Sequence, residues 1–216
     1  MTIHSFSLRG AAGRIECLLK APSTGAPPRG SAVVCHPHPL HGGTMHNKVV
    51  HATAGAVARA GIPVVRFNFR GAGLSSGEHD QGVGEQEDLG VVLEDLRKRY
   101  PGLPILVTGF SFGSYVALKR GCAEKGVFSL IGIGLPASLY DFSFLQGCRV
   151  PVTLIQGERD PFGSIEEVGR LADRVPDSSG GGRVLAIEGA DHFFAGHLPD
   201  LARRVTESIP ADLTST

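Results

Sequence analysis

The chain has 216 residues, 42% hydrophobic and 19% charged, an ordinary globular composition that excludes a disordered protein. Its 21 Lys plus Arg balance 21 Asp plus Glu, so no basic stripe points to nucleic acid and no charge block to a membrane surface. The apolar runs are too short to span a bilayer, and the start lacks the basic-then-apolar order of a secretory signal, so the expectation is a cytoplasmic protein with one domain over residues 1–216.

Residues 3–20 predict an antiparallel hairpin, Ile3–Leu8 and Arg14–Lys20 about a Gly-Ala-Ala-Gly turn. Ala21–Gly30 reads as a Pro/Gly-rich surface loop. Ser31–Cys35 is a short apolar strand that empties into His36-Pro37-His38-Pro39-Leu40-His41-Gly42-Gly43. Lys48–Ala60 predicts a helix ended by Gly61, and Ile62–Phe69 the next strand. Helical spacing of Leu89, Val92, Leu93 and Leu96 predicts a helix over Gly84–Tyr100, stopped by Pro101 and Gly102. Ile105–Thr108 is a buried strand, and a helix follows Ser111 to about Lys125. Then come strands at Val127–Gly134 and Val150–Gln156, a helix over 168–175, a strand at Arg183–Glu188, a helix at Pro199–Ile209 and a loose tail, Pro210–Thr216. This alternation predicts an α/β fold, a mostly parallel sheet with an antiparallel N-terminal edge and helices on both faces.

One segment carries chemistry. Ile105–Thr108 runs into Gly109-Phe110-Ser111-Phe112-Gly113 and then a helix, the strand–turn–helix of a nucleophile elbow. A serine hydroxyl needs a base to take its proton, and in an elbow protein the acid and then the histidine follow the serine along the chain. Two later strand ends offer them: Gly157-Glu158-Arg159-Asp160 and Gly189-Ala190-Asp191-His192. Ser111 is therefore the expected nucleophile, His192 its base and Asp160 the acid that orients the imidazole. Glu158 and Asp141 compete for the acid's place, and Asp191, adjoining His192, is read as a cap for the next helix.

These motifs resemble the α/β-hydrolase superfamily over nearly the whole chain. More narrowly, His36-Pro37-His38-Pro39, Gly42-Gly43-Thr44-Met45 and Asn68-Phe69-Arg70-Gly71-Ala72-Gly73-Leu74-Ser75 are similar to small capless serine hydrolases near dienelactone hydrolases, with serine here where dienelactone hydrolase has cysteine. The resemblance implies ester hydrolysis through an acyl-enzyme, with no metal or organic cofactor and a small-molecule ester as partner. It also implies an oxyanion hole built from the Phe112 N–H and an N–H of the loop after Cys35. Pro37 and Pro39 have no N–H, which leaves His38 and Leu40, and family-like spacing favours His38.

Only about fifteen residues separate the strands Val127–Gly134 and Val150–Gln156, too few for a cap domain. Tyr140 and Phe142 in that interval, with Leu40, are expected to line the acyl pocket. Metal ligation by His36, His38, His41 and His46 is disfavoured because no carboxylates or Cys pairs accompany them. The Gly71-Ala72-Gly73 turn fails as a dinucleotide fingerprint because its third glycine is misplaced, and Arg70 is expected to pack beneath the site. Cys17, Cys35, Cys122 and Cys148 form no C-x-x-C pair and read as buried free thiols. A peptidase or thioesterase on the same three residues, and a catalytically silent interaction module, are the competing readings.

Overall fold

The computed structural model describes residues 2–22 and 26–210. Its eight strands are β1 (Ile3–Gly10), β2 (Gly13–Lys20), β3 (Ser31–Cys35), β4 (Val64–Phe67), β5 (Ile105–Phe110), β6 (Val127–Ile133), β7 (Val152–Gly157) and β8 (Gly182–Ile187). They form one sheet in the order β1-β2-β4-β3-β5-β6-β7-β8. The β1–β2 and β2–β4 pairs are antiparallel, and the remaining pairs are parallel. Five helices cover it: α1 (Lys48–Arg59), α2 (Val83–Arg99), α3 (Phe112–Gly121), α4 (Ile165–Ala172) and α5 (Leu198–Glu207).

Apolar side chains sort the helices by face. Val49, Val50 and Val57 of α1 pack with Leu201 and Val205 of α5 against Val34, Leu106 and Ile131. On the other face, Leu89, Leu93 and Leu96 of α2, Val116 of α3 and Val168 of α4 bury against Val33, Val65 and Val107. Strands β3 and β5, buried on both faces, contain no exposed residue, as a sheet covered on both sides requires.

From β3 the chain moves outward to β4, then returns past β3 to β5. The direction of strand succession reverses there, and the carboxyl ends of β3 and β5 open the crevice where ligands bind in such sheets. The loop 36–43 and the turn at Ser111 both lie at that point.

Boundaries differ from the sequence reading where turn chemistry intervenes. Strand β4 stops at Phe67, because Asn68 and Phe69 turn away to hydrogen-bond neighbouring loops. Helix α4 begins at Ile165 rather than 168, since Ser164 and Glu167 form a reciprocal capping box. Three 3-10 turns, Pro39–His41, Ser143–Gly147 and Asp177–Ser179, were not anticipated. The expected tail lies almost wholly outside the described residues, as do residues 23–25 of the 21–30 loop. All four cysteines are buried and free.

Candidate active site

Ser111 sits between β5 and α3 at φ 55°, ψ −124°, a strained conformation for a residue with a Cβ. Its own backbone holds it there: Ser111 N donates to Ile133 O at 2.9 Å, and Ser114 donates to Ser111 O through both N and Oγ. The flanking glycines permit the approach. A Cβ at Gly109 would collide with the Gly113 carbonyl, and one at Gly113 with the carbonyls of Cys35 and His36.

Two strand-end turns bring the partners. Arg159 N donates to Ala190 O at 2.9 Å and Gly189 N to Glu158 Oε2 at 2.8 Å, which stitches the turn after β7 to the turn after β8. Gly157 lets them meet, since a Cβ there would strike the Ala190 and Asp191 carbonyls. His192 Nδ1 then lies 2.7 Å from Asp160 Oδ2, and His192 Nε2 lies 3.0 Å from Ser111 Oγ. An ionised carboxylate only accepts, so Nδ1 carries the proton and Nε2 is free to accept from the serine hydroxyl. Both side chains are almost completely buried, and the ring packs against Phe110, Phe162 and Phe193.

Asp160 is itself fixed. Its Oδ1 accepts from Phe162 N and its Oδ2 from Gln156 Nε2, each at 2.9 Å. Gln156 is wholly buried, donates also to Gly163 O, and accepts from Leu135 N at 2.7 Å. The competing acids are engaged elsewhere. Glu158 caps the Gly189 amide, and Asp141 is tied to Ser143. Asp191 accepts from Ala195 N, within its own turn rather than at the start of α5.

On the facing loop, His36 is a tether. Fully buried, it donates from Nδ1 to Pro37 O (2.6 Å) and accepts at Nε2 from Phe69 N (3.0 Å), and burial lowers its pKa to about 4. His38 begins the 3-10 turn, and its Nδ1 accepts from Leu40 N at 3.3 Å, so the Leu40 amide is occupied. Burial, then the neighbouring His79 and His41, hold His38 below the usual histidine range. Phe112 opens α3, so its amide is one of the donors a helix start leaves without an intrahelical partner. The His79 ring touches those of both His38 (4.4 Å) and Phe112 (5.2 Å). Its Nδ1 approaches the buried Glu85 carboxylate to 2.7 Å but off the axis of a hydrogen bond.

A cavity of about 660 Å³ opens over Ser111 and His192. Its walls are Phe112, Pro136, Leu139, Tyr140, Phe162 and Phe193, with His38, His41 and Asn47 as polar groups. Tyr140 thus lines it as expected, stacked on Tyr115 at 4.7 Å. Leu40 and Phe142 do not. The 3-10 turn directs Leu40 outward, 71% exposed, and Phe142 is buried against Tyr115 and Phe144. A larger hollow of about 1140 Å³ lies over the β8 edge, lined by Glu158, Glu188, Asp200 and Arg203, and touches neither Ser111 nor His192. The Arg70 guanidinium grips Asp88 through Nε (3.1 Å) and Nη2 (2.9 Å), which ties the 70–77 loop to α2. Among the described residues no three His, Cys, Asp or Glu side chains converge as a metal group would.

Residues 27–137, just over half of the 216, match the family model described as serine aminopeptidase, S33. The chain belongs to this family of α/β hydrolases. An uncharacterized protein of Rickettsia prowazekii is 36% identical over 205 residues, covering 92% of this chain and 85% of that one. Among solved structures, an α/β serine hydrolase homologue from Coxiella burnetii superposes with a TM-score of 0.89 at 36% identity, covering 97% of this chain and 99% of the other. A Xanthomonas campestris protein described as an α/β serine hydrolase without lid gives 0.89 at 34% identity, covering 99% and 96%. The α/β hydrolase fold here likewise lacks a cap: between β6 and β7 stands only the Ser143–Gly147 turn with its flanking loops. No helix among the described residues is long and apolar enough to cross a membrane.

Proposed function

We propose that this α/β hydrolase, acting as one domain, cleaves uncharged carboxylic esters of small to medium acyl groups with Ser111, His192 and Asp160 as its catalytic triad. The observation that carries the reading is the chain of contacts Ser111 Oγ–His192 Nε2 (3.0 Å) and His192 Nδ1–Asp160 Oδ2 (2.7 Å). In the first step His192 Nε2 takes the hydroxyl proton as Oγ attacks the carbonyl, and Asp160 stabilises the imidazolium. The amides of Phe112 and His38 receive the oxyanion, the latter favoured over Leu40, whose N–H already serves the His38 ring. His192 then protonates the leaving alcohol, and a water activated by the same ring releases the acid. The reaction needs no cofactor. Buried free thiols suit a cytoplasmic setting.

A peptidase reading is favoured by the description of the matching family model. An aminopeptidase must hold a substrate ammonium, which calls for a carboxylate at the cavity wall. The lining contains no Asp or Glu among the described residues, and that supports esters instead. Side-by-side kcat/KM on p-nitrophenyl acetate and butyrate, aminoacyl p-nitroanilides and acyl-CoA separates the classes. Ser111→Ala is expected to lower kcat by about 10⁴–10⁶-fold and to lose fluorophosphonate labelling. Full esterase turnover by Ser111→Ala would end the proposal, and preference for the anilides would transfer it to the peptidases.

A further inference from the structure

The α1 side of the antiparallel edge gathers basic side chains that no carboxylate among the described residues offsets. Lys20 stands opposite Val64, and Leu18 opposite Arg66, in the β2–β4 ladder. Directly paired residues share a face, and Val64 packs in the α1 cluster, so Lys20 and Arg66 project toward α1. On α1, His51, Gly55 and Arg59 follow at intervals of four and make one stripe. Gly55 leaves a gap in it: the position of a Cβ there is 3.3 Å from Arg59 Nη1 and 3.7 Å from Lys20 Nζ. Two head groups thus meet over the one residue of the stripe without a side chain.

The floor of this notch is buried and its rim is open. Arg66 is 3% exposed and Lys20 8%, whereas Arg59 and His51 are exposed. Arg66 Nη1 donates to Met45 O at 2.9 Å, but its buried Nε has no acceptor among the described residues. None of Lys20, Arg66, Arg59 and His51 is within ion-pair reach of a carboxylate among the described residues, in contrast to Arg70, Arg97, Arg99, Arg120, Arg170, Arg203 and Arg204. They also feel one another. Burial first, then Arg66 and Arg59, lowers the Lys20 pKa, and burial, then Arg66 and Lys20, lowers that of His51. Like charges held together out of water are relieved by a bound anion with several oxygens, and a guanidinium fork suits a phosphate group.

We propose that the notch over Gly55 binds a phosphate-type oxyanion, with Lys20 and Arg66 as its floor and Arg59 and His51 as its rim. The site is separate from the triad and does not depend on the esterase reading. Titration calorimetry at pH 7 and low ionic strength, with inorganic pyrophosphate and orthophosphate as probes and chloride at matched ionic strength as control, tests it. One saturable site is expected, weakened about tenfold or more by Lys20→Ala and by Arg59→Ala. Arg120→Ala, on α3 and paired with Glu124, should bind as the unaltered protein does. Tighter pyrophosphate binding assigns a diphosphate-bearing ligand, and tighter orthophosphate binding a single phosphate group. Both support the site. The proposal is overturned if neither probe gives saturable heat beyond the chloride control. It is also overturned if both Lys20→Ala and Arg59→Ala, checked for an unchanged unfolding temperature, bind normally.

Discussion

Gln156→Leu isolates what holds Asp160 in place. Leucine nearly keeps the volume but removes the amide that donates to Asp160 Oδ2 and Gly163 O and accepts from Leu135 N. A hydrogen bond to a charged group contributes about 1.5–3 kcal/mol net, and each buried group left without a partner costs about 1–3 kcal/mol. With Leu135 N and Gly163 O both stranded and the bond to Asp160 lost, stability should fall by about 3.5–9 kcal/mol. That is a large share of the roughly 5–15 kcal/mol available to a domain. Asp160 keeps Phe162 N and His192, so kcat should drop only about 10–30-fold, equivalent to about 1.4–2 kcal/mol. KM should stay level, because Gln156 does not line the cavity. Urea unfolding followed by circular dichroism at pH 7, beside turnover of p-nitrophenyl acetate, measures both. A variant within about 1 kcal/mol of the parent in stability and equal to it in kcat would refute this role for the amide.

Asp160→Asn should remain folded yet lose about 10³–10⁴-fold in kcat, because Asn cannot fix the required imidazole tautomer; stopped turnover assays on the purified variant check this. Burial lowers the folded pKa of His36 to about 4 from the ordinary histidine value of 6.5, so the unfolded chain binds the extra proton between those pH values and stability falls as pH drops through that window. The difference amounts to about 3 kcal/mol between pH 7 and pH 4, and urea midpoints against pH for the parent and His36→Gln should diverge in slope only below about pH 6.5. Gly113→Ala should abolish fluorophosphonate labelling, since its Cβ meets backbone carbonyls of Cys35 and His36 that cannot yield; normal labelling would contradict the elbow packing.

The sequence made legible what is local. Strand and helix alternation, the Gly-x-Ser-x-Gly turn and the two strand-end turns each declare themselves within a few residues, so Ser111, Asp160 and His192 could be named together. Gln156 could not. It reads as the polar end of an apolar strand, and its partners Leu135, Asp160 and Gly163 come from separate loops. A lone amide in Val152-Thr153-Leu154-Ile155-Gln156 is the only signal it left. Leu40 and Phe142 were misplaced for a related reason. Each sits in or beside a 3-10 turn, and side-chain direction there depends on a geometry that periodicity does not reveal. Phe162 and Phe193 form cavity walls that only the stitching of the two strand-end turns creates. His79 was likewise silent, since its contacts with His38 and Phe112 join three distant stretches of chain.

The brevity of the β6–β7 connection reaches beyond architecture. Among the described residues the β6–β7 connection offers no cap over Ser111, so under the proposed esterase reading turnover should rise smoothly with substrate concentration, without a lag or a jump at the onset of micelles. Selectivity must then come from fit against Tyr140, Phe162 and Phe193 rather than from admission, so that a compact group seated among them can belong to a molecule much larger than the cavity itself.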